Sequence, residues 1–366
     1  MNLIKLLTAV ARSGASDFHL SSGYPPIIRK NGETHWLDQP ALSPQEAHDA
    51  IYGILTERQI ALFEEYHEVD LGWNINGVGR FRVNVYSFAN GIGAAFRVIP
   101  ERIWTLEDIK APPAVYKLAK TLKGLILVTG ATGSGKSTTL AAIVDYINSH
   151  RRGHILTIED PIEFVHKSKK CLITQREIGT HSNSFANALR AALREDPDVI
   201  LVGEMRDLET ISLALTAAET GHLVLGTLHT GSAPEAADRV IDVFPSSQHN
   251  QIRAIFSSTL EGVIAQKLVK TKQGDGRIAA MEIMLGSTSI KNLIREQKSH
   301  QLRSAIQTST EEGMQTGDQA LLKLLDEDLI TLEEAQKYAE ELRPFEEWAG
   351  SIRNVLHSKR KARTTV

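Results

Sequence analysis

The chain has 366 residues, more than one ordinary hydrophobic core accommodates, so two domains are the expected organisation. Apolar residues make up 42% and charged residues 23%, which excludes a disordered or fibrous chain, and the net charge of −3 lacks the basic excess of nucleic-acid-binding domains. The single cysteine, Cys171, can form neither an internal disulfide nor a cysteine zinc site, which points to a reducing cytoplasm.

Met1 to Lys5 followed by Leu6-Leu7-Thr8-Ala9-Val10-Ala11 resembles a weak signal peptide. Arg12 closes the apolar run after six residues, short of the roughly 7–15 of a secretory core. Ile4, Leu7, Val10 and Ala11 fall on one helical face, so the spacing predicts a short amphipathic helix. No stretch approaches the ~20 apolar residues of a membrane span. Direct membrane insertion is therefore not expected, and any membrane role comes through partners.

Residues 1–100 read as a small α+β domain. Gly77-Val78-Gly79 separates two alternating runs, 70–75 and 80–86, in the pattern of a hairpin, and a third strand-like run, 94–99, stops at Pro100. Residues 101–113 form an irregular linker, ended by Pro112-Pro113, which cannot sit inside a helix. From 114 to 285 apolar strands alternate with helices, the pattern of a mainly parallel sheet. Strands are expected at 124–129, 154–158, 198–202 and 223–228, with a helix from the end of a Gly-rich loop to about Asn148. Residues 286–345 read as a helical C-terminal region, and 346–366 as a basic, flexible tail.

The sharpest motif is Gly130-Ala131-Thr132-Gly133-Ser134-Gly135-Lys136-Ser137, which fits G-x-x-x-x-G-K-[ST] between a buried strand and a helix. Its glycines let backbone N–H groups wrap phosphates, and the helix N-terminus adds positive potential. Lys136 would reach the β- and γ-phosphates of ATP, Ser137 would ligate Mg²⁺, and Thr138 would complete the nucleotide-binding stretch. With glycine near 7% of average sequence, a chance match in a chain this long is about one in a hundred. Phosphoryl transfer also needs a group to orient water, and carboxylates at the C-terminal ends of neighbouring parallel strands are well placed. Glu159-Asp160-Pro161-Ile162-Glu163 and Gly203-Glu204 both fit.

Four blocks carry a family resemblance: 124–139, Thr157 to Glu163, Arg194 to Asp207, and Thr220 to Thr230. They resemble the Walker A, Asp box, Walker B and His box of the type II/IV secretion ATPase superfamily. Within it the chain most resembles the type IV pilus retraction ATPases of twitching motility. Gly14 to Leu20 and Ser289 to Glu296 match further stretches of that family, and coverage runs to about residue 340. The resemblance implies a PAS-like N-terminal domain, a RecA-like P-loop ATPase domain and a homohexameric ring. It implies ATP and Mg²⁺ as cofactors, an inner-membrane pilus platform protein as partner, and a cytoplasmic location peripheral to the inner membrane. Glu204 becomes the catalytic glutamate, and Glu163 an acid near Mg²⁺ or water. The Walker B strand ends in Gly-Glu with no Asp before the glutamate, which leaves a second magnesium contact unassigned.

His222 and His229 lie seven residues apart around one strand, so they point to opposite faces and do not share one metal ion. The family match makes His229 a sensor of the γ-phosphate. Arg82 and Arg97 sit in strand-like runs of the small domain, and the resemblance places them at the nucleotide of an adjacent subunit. An arginine supplied in trans would stabilise transition-state charge. Two readings compete within the superfamily, a pilus-assembly ATPase and a Dot/Icm-like secretion ATPase. Several assembly and secretion enzymes carry a four-cysteine zinc module and a longer N-terminal region, which with one cysteine here favours retraction over them, while a Dot/Icm-like ATPase is similarly compact and stays open. A nucleic-acid motor on the same fold would need a basic channel and stacking aromatics, against the acidic balance and 6% aromatic content.

Overall fold

The computed structural model describes residues 2–30, 33–99, 102–274 and 276–351. Residues 352–366 of the expected basic tail, Pro100 at the end of the small domain and Glu101 at the linker's start lie outside the described residues. The chain divides into two compact units, Met1–Ile103 with Pro161–Val165, and Trp104–Asp160 with His166–Val366.

In the first unit, helix α1 (Leu3–Arg12) starts at Asn2, whose side chain accepts from the Lys5 N–H at 3.0 Å. It buries Leu3, Leu7 and Val10, while Ile4, expected on the buried face, is 52% exposed. Leu3 shares the i, i+4, i+7 stripe with Leu7 and Val10, and Ile4 lies about 100° round the helix from it. Strands β1 (Asp17–Ser21), β2 (Ile27–Lys30) and β3 (Glu33–Trp36) follow, then helices α2 (Pro44–Tyr52) and α3 (Glu57–Tyr66). Both helices begin with reciprocal capping boxes, Ser43 with Glu46 and Thr56 with Gln59. Strands β4 (Glu68–Ile75), β5 (Gly79–Phe88) and β6 (Gly91–Ile99) complete an antiparallel sheet in the order β3-β2-β1-β6-β5-β4. The hairpin expected at 77–79 joins β4 to β5. Along β5, Phe81, Val83 and Val85 are buried and Arg80, Arg82 and Asn84 are half-buried on the other face.

The second unit contains α4 (Pro113–Ala119), β7 (Gly124–Thr129), α5 (Lys136–His150), β8 (Gly153–Glu159), β9 (Cys171–Glu177), α6 (Phe185–Ala192) and β10 (Val199–Val202). It continues through α7 (Leu208–Glu219), β11 (Leu223–Leu228), α8 (Ala233–Asp242), α9 (His249–Thr259), β12 (Leu260–Lys270) and β13 (Arg277–Leu285). The sheet order is β13-β12-β7-β11-β10-β8-β9, parallel from β12 to β9, with β13 antiparallel at the edge. Every residue of β7, β10 and β11 is buried, as central strands covered on both faces require. Strands β9, β12 and β13 were not anticipated from the sequence. Helices α10 (Thr288–Arg295), α11 (Leu302–Thr308), α12 (Gly317–Asp326) and α13 (Leu332–Tyr338) follow. Leu321, Leu325 and Phe345 pack with Val269 and Ala280 in a separate small core. No helix among the described residues is long and apolar enough to cross a membrane.

Candidate active site

The phosphate loop leaves the C-terminal end of β7 and enters α5. Gly130, Gly133 and Gly135 have φ of 140°, 78° and 89°, which a residue with a Cβ rarely adopts. Gly135 is the N-cap of α5 and supplies no side-chain cap, so the leading N–H groups of a 15-residue helix face the loop's concave side. The helix dipole adds positive potential there. Lys136 Nζ donates to the carbonyls of Gly130 (2.8 Å) and Ala131 (3.1 Å), which folds the ammonium over the loop. Ser134 Oγ is buried without a hydrogen-bond partner among the described residues. Uncapped N–H groups, an ammonium and an unpaired hydroxyl form a donor set that fits the polyphosphate of a nucleotide. Ser137 and Thr138 lie in the first turn of α5, both half-buried. Among the described residues no three His, Cys, Asp or Glu side chains could jointly hold a metal. Mg²⁺ favours one or two protein oxygens plus phosphate and water over an all-protein cage, and the Ser137 hydroxyl in the first turn of α5 would supply one of them.

The strand register gathers the other groups at the same sheet edge. Val202 of β10 pairs with Gly226 of β11, and Leu228 of β11 pairs with Thr129 of β7. Glu204 follows β10, His229 follows β11 and Gly130 follows β7, so His229 stands on the strand between the carboxylate and the loop. Two strand spacings separate the outer pair, about 10 Å. His229 Nε2 lies 2.9 Å from Glu204 Oε1, and Arg206 Nε pairs with the same oxygen. The carboxylate is held well: its side chain is 20% exposed, against 44% for His229 and 76% for Arg206. The charge of Asp160 also reaches Arg206.

Small residues keep the strand ends this close. A Cβ on Gly203 would sit 3.1 Å from the Ile158 carbonyl, and one on Gly226 would overlap Met205 Sδ. Thr227 Oγ1 donates to the Gly203 carbonyl, which ties the end of β11 to the turn carrying Glu204. His222, at the other end of β11, bonds through Nδ1 to the Ala217 carbonyl (3.0 Å) and lies 3.3 Å from Thr220 Oγ1. It closes the α7–β11 turn and does not join His229.

Glu163, Arg82 and Arg97 belong to the first unit. Arg82 and Arg97 stand directly opposite each other on β5 and β6, and Asp17 of β1 is the next partner across the sheet. Arg97 Nε pairs with Asp17 Oδ1 at 2.9 Å and keeps 65% of its side chain exposed. Burial pulls the Asp17 pKa upward, but hydrogen bonds from Ser16 and Arg97 and the charge of Arg97 outweigh it and hold the pKa below the usual range. Like charges facing each other across a ladder oppose folding, and Asp17 offsets that only on one side. Glu163 lies in Pro161–Val165, a segment to which Arg80 bonds by donating Nε to the Ile162 carbonyl at 2.8 Å.

Sequence reasoning missed Arg206 and Gln266. Gln266, on β12 and 2% exposed, donates Nε2 to the Ser134 carbonyl (2.6 Å) and accepts from Thr139 Oγ1 (2.9 Å). Its signal was a lone amide inside the apolar run Gly262-Val263-Ile264-Ala265-Gln266.

A family model described as Type II/IV secretion system protein matches residues 74–337. The chain is 52% identical over 339 residues to the Type IV pilus retractation ATPase PilT of Pseudomonas aeruginosa, covering 93% of this chain and 98% of that protein. Among solved structures it is similar to the pilus retraction motor PilT with bound ADP, with a TM-score of 0.88 and 45% identity over 95% of this chain and 99% of that one. It is also similar to the ATPase DotB of Legionella pneumophila, with a TM-score of 0.76 and 29% identity over 91% of this chain and 94% of that one. The chain belongs to the type II/IV secretion system protein family.

Proposed function

We propose that this chain is an ATP-hydrolysing motor subunit that powers retraction of type IV pili. The observation that carries the reading is Glu204 at the end of β10, held by His229 at the end of β11, the strand that pairs with the phosphate loop's own β7. In this reading Lys136 and the α5 N-terminus bind the β- and γ-phosphates. Glu204 accepts a proton from the attacking water, and His229 holds the carboxylate and senses the γ-phosphate. Ser137 would hold Mg²⁺, which when bound would supply charge neutralisation on the phosphate oxygens, and Glu163 is the acid that the family resemblance assigns to the ion or the water. Arg82 and Arg97 serve the nucleotide of an adjacent subunit in a homohexameric ring, where an arginine in trans stabilises developing charge. The ring works at the cytoplasmic face of the inner membrane through a pilus platform protein and has no nucleic-acid partner.

Greater identity to the retraction motor than to DotB, 45% against 29%, favours retraction over a Dot/Icm-like secretion role. Glu204→Ala is expected to keep ATP binding and lose turnover by on the order of a thousandfold or more, as removal of a water-activating base does. Near-normal turnover would overturn the assignment. Deletion of the gene with imaging of surface pili separates the biological readings. Excess non-retracting pili support retraction, and bald cells support assembly.

A further inference from the structure

Wrapping a phosphate with N–H groups turns part of the loop's carbonyls away from the phosphate, and one that is buried must find a donor within the protein. Ser134 presents such a carbonyl, and the donor that meets it is the side-chain amide of Gln266, reaching from β12 on the far side of β7. We propose that Gln266 is a positioning residue for the phosphate loop, holding the backbone of Ser134–Lys136 in the shape that binds the nucleotide's phosphates. The inference rests on the ATP-binding reading above and extends it to a residue outside the loop.

Three contacts make the case. The amide fork joins the loop to the helix behind it, with Nε2 on the Ser134 carbonyl at 2.6 Å and Oε1 receiving the Thr139 hydroxyl at 2.9 Å. Thr139 is one turn into α5 and 2% exposed, so both bonds are out of water. The backbone of Gln266 also matters, because its carbonyl oxygen occupies the space a Cβ on Gly130 would need. At the other end of the loop, Gln266 Nε2 stands 3.1 Å from where a Cβ on Gly135 would be. Gln266 thus braces Gly130, Ser134 and Gly135 from behind, the residues that open and close the wrap.

The chemistry selects an amide. Among planar side chains that do not ionise, only Gln and Asn carry a donor and an acceptor side by side, and Asn is one methylene too short to keep both bonds from the same Cα. A carboxylate would face the Ser134 carbonyl with two acceptors and bring negative charge behind the phosphates. A protonated carboxylic acid, in contrast, has one O–H donor and one acceptor and matches the amide.

That difference supplies the test. Gln266→Glu, Gln266→Met and the parent are titrated with a fluorescent ATP analogue and Mg²⁺ at about pH 8 and about pH 6, with circular dichroism confirming that each is folded. At about pH 8 both variants are expected to bind about tenfold more weakly or worse, as orphaning a buried hydrogen-bonding group predicts. At about pH 6 Gln266→Glu regains most of the loss, because burial raises its carboxyl pKa toward that range, while Gln266→Met does not. A part that only stabilised the fold would shift melting without this pH-dependent rescue. Parent-like binding by Gln266→Met at both pH values overturns the proposal, as does a Gln266→Glu whose affinity follows Gln266→Met at both. If Gln266→Glu fails to fold, Thr139→Val takes its place: in a double-mutant cycle with Gln266→Met, additive losses overturn the proposal and a smaller combined loss supports it. Failure of the parent to bind the analogue would instead refute the ATP-binding reading itself.

Discussion

Replacing His229 with alanine removes the nitrogen that touches Glu204 and leaves the phosphate loop intact. Nε2 lies 2.9 Å from Glu204 Oε1, and a hydrogen bond to a charged group contributes about 1.5–3 kcal/mol. At 1.36 kcal/mol per tenfold, that range corresponds to about 10–150-fold in rate if the bond acts in the transition state. Two features lower the expectation toward its small end. The His229 side chain is 44% exposed, so water replaces part of the bond, and Arg206 still grips the same oxygen. The expected outcome of His229→Ala is therefore a kcat about tenfold lower, with KM changed by no more than about threefold. A steady-state phosphate-release assay gives both constants, and the ratio of ATP to ADP affinity reports the sensor role separately. His229→Asn, which keeps an N–H donor, should fall between. A kcat within twofold of the parent with a raised KM would refute the reasoning, because the contact would then serve ground-state binding alone.

Mixing Arg82→Ala subunits with Lys136→Ala subunits, each inactive alone, should restore measurable ATP turnover by forming some intact composite sites. No recovery in verified mixed oligomers would place Arg82 outside a neighbour's site. Gly226→Ala drives a methyl into Met205 Sδ and should cost about 1–3 kcal/mol of stability by overpacking. It should also lower kcat through the adjacent Glu204, and Met205→Ala in the same chain should recover part of both. His166 has its pKa lowered to about 4, chiefly by burial, with Asp145 pulling it up and Lys169 down. Between about pH 6.5 and 4 the unfolded chain binds a proton that the folded chain refuses, so stability falls with acid by about 2 kcal/mol from pH 7 to pH 5. Chemical denaturation of His166→Gln should show that slope flattened, and an unchanged slope would contradict the burial account.

The sequence was most informative where one physical demand dominated. Continuous apolar runs placed β7 and β11 to the residue, because central parallel strands have no solvent face to introduce polarity. Alternation exposed β4 and β5 for the opposite reason, since each has one face in the core. The strands that escaped lacked either pattern. Residues of β3 are all exposed, and β9 shows only Cys171 and Glu177 buried, so neither carries a hydrophobic period. β12 is the instructive failure. Its eleven residues are long enough for a helix and mostly apolar, and a short apolar run of this kind does not distinguish strand from helix by periodicity.

The same contrast governs the site. The loop Gly130–Ser137 was legible because phosphate binding needs glycines, a lysine and a hydroxyl at fixed spacing within one segment. Glu204 and His229 were legible as strand-end residues, but their contact was not, because it depends on β10 and β11 being neighbours in register. Gln266 is farther still from local reasoning: it acts 132 residues away from Ser134, through a parallel pairing that no sequence window contains. Residues that touch the nucleotide must obey a local motif. Those that hold the motif in shape need only arrive from an adjacent strand with the right donor and acceptor. A buried amide interrupting an apolar strand is therefore worth reading as a brace for whatever irregular backbone lies beside it, since its desolvation must be offset by polar groups there, as the Ser134 carbonyl and the Thr139 hydroxyl do for Gln266.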